Sequence, residues 1–258
     1  MIDVGALLKL GCKSPVRIGI GLPEEMLVAT NRRLESLGCR FDLISFKDPA
    51  GLVSALSEGK VEAAVRGTLS SVKVLAELKK KFGIAEVMRA AILEDAHGKQ
   101  FLLTPVGIDE GRDLEGRLAL VRSTMDYFTP IGWSISIGVL SRGRLEDKHR
   151  GEDIRSSIEE GEEMVKVLNG EGREAKHHAI LIEEAVRESD LVVAPDGVTG
   201  NLIFRAMHFV GGGKAYGAPV VNMDKVFVDT SRSKADFSDA ARLASGLAEA
   251  KARCVHKA

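Results

Sequence analysis

Short apolar, strand-like runs alternate with longer helical patterns over almost the whole chain, and no other feature restricts its fold so much. The runs at 16–21, 41–44, 61–65, 87–93, 101–106, 135–140 and 191–194 read as strands, with a further short one at 220–221. Between them, 23–37, 49–56, 70–82, 154–168, 179–188, a segment ending near 210, and 237–254 read as helices. Residues 118–128 fit either a helix or a strand–helix unit. Pro23 stands at a helix start, while Gly38 and Gly83 stand where helices end, the position that favours a left-handed residue without a Cβ. Strands separated by helical stretches of about ten or more residues build a mostly parallel sheet flanked by helices. The expected class is α/β, and 258 residues suffice for one large domain or two smaller ones sharing a cleft.

Composition removes several functions. A formal net charge of −1, with Lys and Arg spread along the chain, provides no field for nucleic acid or an anionic membrane. Aromatics are only 5%, too few for base-stacking platforms. No apolar run approaches the roughly 20 residues of a membrane span, and the start of the chain lacks the features of a signal peptide. Cys12, Cys39 and Cys254 are widely spaced and odd in number, which predicts reduced thiols and a cytoplasmic protein. The mixed charge run 142–155 reads as a solvated loop.

The segment 192–203, Val-Val-Ala-Pro-Asp-Gly-Val-Thr-Gly-Asn-Leu-Ile, carries the clearest functional signal. It reads as a buried strand, a tight loop, and a helix whose first turn is capped by Thr199 or Asn201. Ligands in α/β sheets sit at such carboxyl ends, where backbone N–H groups are free. Gly19-Ile20-Gly21 is half of a dinucleotide fingerprint, but Glu24 stands where its third glycine would be. The glycine-rich signature usual in adenosylmethionine enzymes is missing for the same reason. His177 and His178 are adjacent and so point to opposite faces, and His97, His149, His208 and His256 are scattered; no metal site is expected.

Four segments, in order, resemble the phosphate acetyl- and butyryltransferases. They are Glu62–Ser71 with Arg66-Gly67-Thr68, Ile137–Gly143 with Leu140-Ser141-Arg142, Pro195–Asn201, and Asp229-Thr230-Ser231-Arg232. The wording Arg-Gly-Thr and Pro-Asp-Gly-Val-Thr-Gly-Asn, with a short middle, resembles more narrowly the MtxX family of methanogenic archaea, a marker family carrying a methyltransferase label. The resemblance implies an isocitrate/isopropylmalate dehydrogenase-like (phosphotransacetylase-like) fold of two α/β/α domains with a cleft between them, and a homodimer. Residues 1–110 plus 219–258 would form one domain and 111–218 the other.

It also implies a phosphate-bearing small-molecule ligand. Arg232 beside Ser231 would supply a bidentate donor, with Asp236 as the base. Arg66, Gly67, Thr68, Ser70, Ser141, Arg142, Asp196, Thr199, Gly200 and Asn201 would line the anion site, with Arg232 facing the Asn201 loop across the cleft. The phosphate acyltransferase pattern is broken at 175–180, which reads Ala-Lys-His-His-Ala-Ile, and at Glu77, where an arginine is expected. Three functions therefore stand side by side. One is methyl transfer, with other methyltransferase subunits as partners; another is acyl transfer between acyl phosphate and coenzyme A; the third is phospho-ligand binding without turnover. The cofactor is open between coenzyme A and a methyl carrier.

Overall fold

The computed structural model describes residues 2–255, so His256 lies outside it. The chain divides into two compact units, Asp3–Val87 with the segment from Tyr216 onward, and Met88–Ala215. The expectation that 88–110 belong with the chain's start is corrected here. Strand β5 (Gln100–Thr104) pairs in parallel with β8 (Leu191–Val193), Leu103 opposite Val192, which draws that segment into the middle unit.

In the unit built from the two ends, β1 (Arg17–Ile20), β2 (Asp42–Ser45), β3 (Ala63–Val65) and β10 (Val226–Asp229) run parallel in the order β2-β1-β3-β10. Strand β9 (Lys214–Pro219) lies antiparallel to β10 through Ala218 and Pro219. Of the short strand expected at 220–221, Val220 forms a single β-bridge, donating to the Phe227 carbonyl at 2.8 Å, and Asn222–Lys225 bend back into β10. The helices α2 (Glu24–Ser36), α3 (Pro49–Ser57) and α4 (Ser71–Phe82) follow their strands as the alternation requires. Asp48 accepts the Gly51 N–H at 2.8 Å and Pro49 occupies the first turn, a strong start signal for α3. Gly83 ends α4 at φ 65°, a left-handed conformation that costs glycine nothing. Leu52, Leu56, Val74, Leu78 and Phe227 form the centre of a buried cluster beneath these helices.

Two contacts of this unit are absent from the sequence reading. Helix α1 (Val4–Lys13), capped by Asp3, packs on α9 (Ser238–Val255) through small residues. A Cβ on Gly11 would lie 2.1 Å from the Arg242 carbonyl oxygen, and one on Gly246 would lie 2.2 Å from that of Leu7. Ser245 also donates to the Gly11 carbonyl at 2.9 Å. Cys12 and Cys39, expected as free thiols, form a disulfide. The Arg40 N–H donates to the Cys12 carbonyl at 2.9 Å, so the end of α1 and the chain after α2 meet although 27 residues separate the cysteines.

In the middle unit, β4 (Ala91–Glu94) is antiparallel to β5, and β5, β8, β6 (Ile137–Leu140) and β7 (Ala175–Ala179) run parallel in that order. Strand β7 was not foreseen, because its sequence Ala-Lys-His-His-Ala carries no β-branched residue. Residues 114–128 are one helix, α5 (Leu114–Phe128), which settles the open alternative. The charged run 142–155 contains a 3₁₀ turn (Leu145–His149) and the start of α6 (Glu152–Gly170). Helices α7 (Ile182–Glu188) and α8 (Gly197–Phe209) complete the unit. Among the described residues, no helix is long and apolar enough to cross a membrane.

Because α1 and α9 approach at backbone distance, Gly246→Val should lower the unfolding free energy by about 3 kcal/mol, the upper range for overpacking. Urea denaturation followed by circular dichroism measures it; an unchanged midpoint would contradict the close crossing.

Candidate functional site

The parallel strands β5, β8 and β6 are neighbours, so the loops leaving their carboxyl ends converge within the middle unit. They line an open cavity of about 440 Å³ with Ile108, Glu110 and Arg112 after β5, Arg142 after β6, and Asp196–Thr199 after β8. Asp196 organises it. Its carboxylate accepts the Thr199 N–H at 2.8 Å and the Thr199 hydroxyl at 2.9 Å, and takes Arg142 Nη2 at 3.0 Å. Asp196 is therefore the cap of α8, in place of the expected Thr199 or Asn201. A carboxylate there also suits the positive end of the helix. Burial pushes the Asp196 pKa up, but the two Thr199 donors and Arg142 outweigh it and hold it below the usual carboxylate range.

The glycines of the motif work by contact. A Cβ on Gly197 would lie 1.8 Å from the Gly107 carbonyl oxygen, and one on Gly200 would lie 1.8 Å from that of Pro105. Helix α8 thus starts directly on the loop after β5. Asn201 reinforces this by donating to the Val106 carbonyl at 2.8 Å, and the Gly200 N–H returns to Asp196 at 3.0 Å, inside the helix. Neither is left to meet a ligand. The backbone N–H groups of Gly197 and Val198 have no acceptor among the described residues, and both residues line the cavity.

Two ion pairs fix the walls, one buried and one with a half-exposed carboxylate. Arg89 Nε donates to Glu110 at 2.6 Å, and Glu110 also accepts the N–H groups of Val106 and Gly107 at 3.2 and 3.0 Å. Burial raises the Glu110 pKa against the pull of Arg89 and those amides. Arg117 donates to the Pro195 carbonyl at 2.7 Å and to Glu160 at 2.5 Å, which holds the turn before α8. Arg112 is exposed, and no residue among those described pairs with it.

In the other unit, the loops after β3 and β10 are neighbours because the two strands pair. Arg66, expected to meet an anion, is buried; its guanidinium pairs with Asp229 and donates to the Leu69 carbonyl at 2.8 Å. Thr230 Oγ1 donates to the Gly67 carbonyl at 3.1 Å, and Thr68 Oγ1 to that of Gly21 at 3.2 Å. Gly67 has φ 62°, and a Cβ there would lie 2.2 Å from the Gly21 carbonyl oxygen. Ser70 precedes α4 with no side-chain cap, and Ser231 accepts the Ser233 N–H at 3.3 Å. Arg232 is exposed and has no partner among the described residues. Asp236, expected as a base, accepts the N–H and hydroxyl of Ser238 at 2.8 and 3.0 Å and so holds the first turn of α9. Half-buried Lys234 stands in the same loop, where burial pushes its pKa down against Asp239 and Asp236. No group of three or more possible metal ligands occurs among the described residues.

Comparison with known proteins decides the family. The chain is 40% identical over 229 residues to "Putative methyltransferase mtx subunit X" of Methanosarcina acetivorans, covering 88% of this chain and 82% of the relative. The chain belongs to that family. No model of a protein family matches it. Among solved structures it is similar to a branched-chain phosphotransacylase from Enterococcus faecalis V583, with TM-score 0.66, 19% identity, and coverage of 92% of this chain and 99% of that one. It is also similar to 4-hydroxythreonine-4-phosphate dehydrogenase from Klebsiella pneumoniae, with TM-score 0.55, 10% identity, and coverage of 95% and 86%. At these identities the likeness establishes the fold, which is phosphotransacetylase-like and dehydrogenase-like as expected.

Within this mtx subunit X relative, the sequence-based site list divides by burial. Arg142, Asp196 and Thr199 are brought together at one cavity, whereas Arg66, Gly67, Ser141, Gly200 and Asn201 build the loops that carry it or its counterpart. Glu110, Arg112 and Arg117 went unnoticed, since an isolated Glu or Arg has no signature in sequence. Asp196→Ala should cost about 1–2 kcal/mol of stability through the lost cap. Asp196→Asn, which keeps a capping oxygen, should cost less. The folded pKa of Asp196 lies below its ordinary 3.8, so its contribution is present above that value and disappears as pH falls through the folded one. Thermal melts at acid pH should therefore show a shallower loss for Asp196→Asn; identical acid limbs would contradict the Arg142–Asp196 pairing.

Proposed function

We propose that this protein binds the phosphate of a small molecule in the cavity at the start of α8 and acts on that molecule as a transferase, with methyl transfer as the chemistry. One observation carries the reading: Arg112 and Arg142 meet two unclaimed helix N–H groups in a cavity of about 440 Å³. Guanidinium groups and helix N-termini are matched to phosphate in charge and in donor geometry. The methyl assignment draws on the name of the relatives, and so does the proposal that other methyltransferase subunits are its partners. In the other unit, Ser231, Arg232, Thr68 and Ser70 provide hydroxyl and guanidinium donors suited to an anion of their own. The unpaired Arg232 next to Ser231 also favours a second reading. In it, a coenzyme A thiolate attacks the carbonyl of an acyl phosphate, the acyl–oxygen bond breaks, and phosphate leaves onto these donors.

A homodimer is part of the proposal. Val198, Leu202, Phe209 and Val210 are exposed along α8 at helical spacing, an apolar stripe suited to a second copy. Light scattering should then report a dimer for the native chain and a monomer for Leu202→Glu.

Titration calorimetry with inorganic phosphate tests the ligand reading. Arg112→Ala and Arg142→Ala should each weaken binding by about 1.5–3 kcal/mol, the loss of a charge-assisted hydrogen bond. Unchanged affinity in both would overturn it. Acyl phosphate formed from acetyl-coenzyme A and phosphate would select the second reading over methyl transfer.

A further inference from the structure

The two histidines of β7 have no part in the reading above, yet one of them holds the turn that carries Arg142. His177 Nε2 lies 3.0 Å from Ser141 Oγ, and that hydroxyl lies 3.1 Å from the Gly143 carbonyl oxygen. Ser141 is buried and has a single hydroxyl proton, and a carbonyl oxygen only accepts. Both contacts are satisfied when Ser141 donates to Gly143 and accepts from His177, which places the imidazole proton on Nε2. His177 Nδ1 is then a bare nitrogen, buried and without a partner among the described residues.

The surroundings are built around this ring. Helix α6 crosses it at Gly161, where a Cβ would lie 2.7 Å from His177 Nε2. The pairing of β6 with β7 steps from Val139–His177 to Leu140–Ala179, so His178 is the extra residue of a bulge. His178 faces the opposite side, 3.4 Å from Ser189 Oγ. Ala179 follows at φ 53°, a left-handed conformation unusual for a residue with a side chain, and its carbonyl accepts the Ser141 N–H at 2.8 Å. The next N–H, that of Arg142, donates to Ser157 Oγ on α6 at 3.1 Å. Ser141–Gly143 is thus tied to β7 and α6 on one side and presents the Arg142 guanidinium to Asp196 on the other.

We propose that His177 is a positioning residue for the anion cavity: its neutral imidazole, acting through Ser141, sets the turn that holds Arg142 on Asp196, and a second proton on Nδ1 loosens that turn. The effect on ligand binding rests on the phosphate reading given above; the effect on the turn does not. A proton on Nδ1 would be a buried donor with no acceptor, which is costly. The charged and titratable groups facing the ring are Glu162 on α6, Lys148 in the 3₁₀ turn, and His178 on β7. Burial lowers the His177 pKa below its ordinary 6.5; Glu162 opposes this, while His178 and Lys148 add to it. With a depressed folded pKa, the latch is fully set above that ordinary value and is lost as pH falls through the folded one.

Hydrogen exchange of the Ser141 and Arg142 amides, corrected for intrinsic rate and followed from about pH 8 to about pH 5, reads the turn directly. Sulfate binding over the same range reads the cavity, because sulfate keeps its charge throughout. In the native full-length chain, protection and sulfate affinity should each fall roughly tenfold across that range, the scale of losing one net hydrogen bond. His177→Gln keeps a side-chain N–H for Ser141 but takes no proton, and should be flat in both. Imidazole ¹⁵N shifts of the native chain at neutral pH give a check that needs no variant, and should report a proton on Nε2. Protection that is constant with pH in the native chain, an equal slope in His177→Gln, or a proton on Nδ1 would each overturn the proposal. Protection that falls in the native chain alone, with no sulfate bound at any pH, would sustain the latch and remove the phosphate reading instead.

Discussion

The Asp196 carboxylate is the interaction on which the carboxyl edge of the middle unit's sheet depends. It ends the β8 turn, caps α8 through Thr199, and draws Arg142 in from the neighbouring strand end. A capping acid has oxygens to spare once the helix N–H is satisfied, and here the surplus holds an arginine at the mouth of a cavity. The same arrangement leaves the first two N–H groups of α8 unclaimed. That combination, a helix start with charge held beside it, is what sets this edge of the sheet apart.

Buried charge elsewhere serves a different purpose. Arg66 with Asp229, and Arg89 with Glu110, are ion pairs almost closed to solvent, and each fastens a loop at the carboxyl end of a strand. Separating such a pair would strand a charge in a medium that cannot solvate it, so these loops are held in one conformation. Arg112 and Arg232 are exposed and unpaired among the described residues, and therefore keep their donors available. Burial, more than residue type, separates the arginines that build the edge from those able to meet a ligand. The neutral His177 belongs with the builders, since it acts through Ser141 on a turn it does not itself form.

Much of the fold was legible because periodicity and punctuation agree. Asp48-Pro49 opens α3, Gly83 closes α4, and the apolar runs at 61–65 and 191–194 hold the strands β3 and β8 where expected. Legibility failed where a segment owes its structure to what it packs against. β7 is a strand with two histidines because β6 offers a parallel partner and α6 offers Gly161; its own sequence has no strand preference. α1 is short and makes sense only against the small-residue face of α9. The Cys12–Cys39 bridge depends on the same long-range contact, which spacing in sequence cannot reveal.

By itself the amino-acid sequence determined the α/β class, the family resemblance, and the Pro-Asp-Gly turn between a buried strand and a helix, because these rest on local preferences: strand alternation, helix caps, and glycines needed for close approach. Tertiary structure alone decided which of the named residues stand free. Arg66 and Arg142 occupy equivalent places after their strands and look alike in sequence. One is sealed against Asp229, whereas the other reaches the cavity through Asp196, because the pairing of β3 with β10 and of β6 with β8 brings each a different carboxylate. The energy of a charge is set by its neighbours in space, and those neighbours lie far away along the chain.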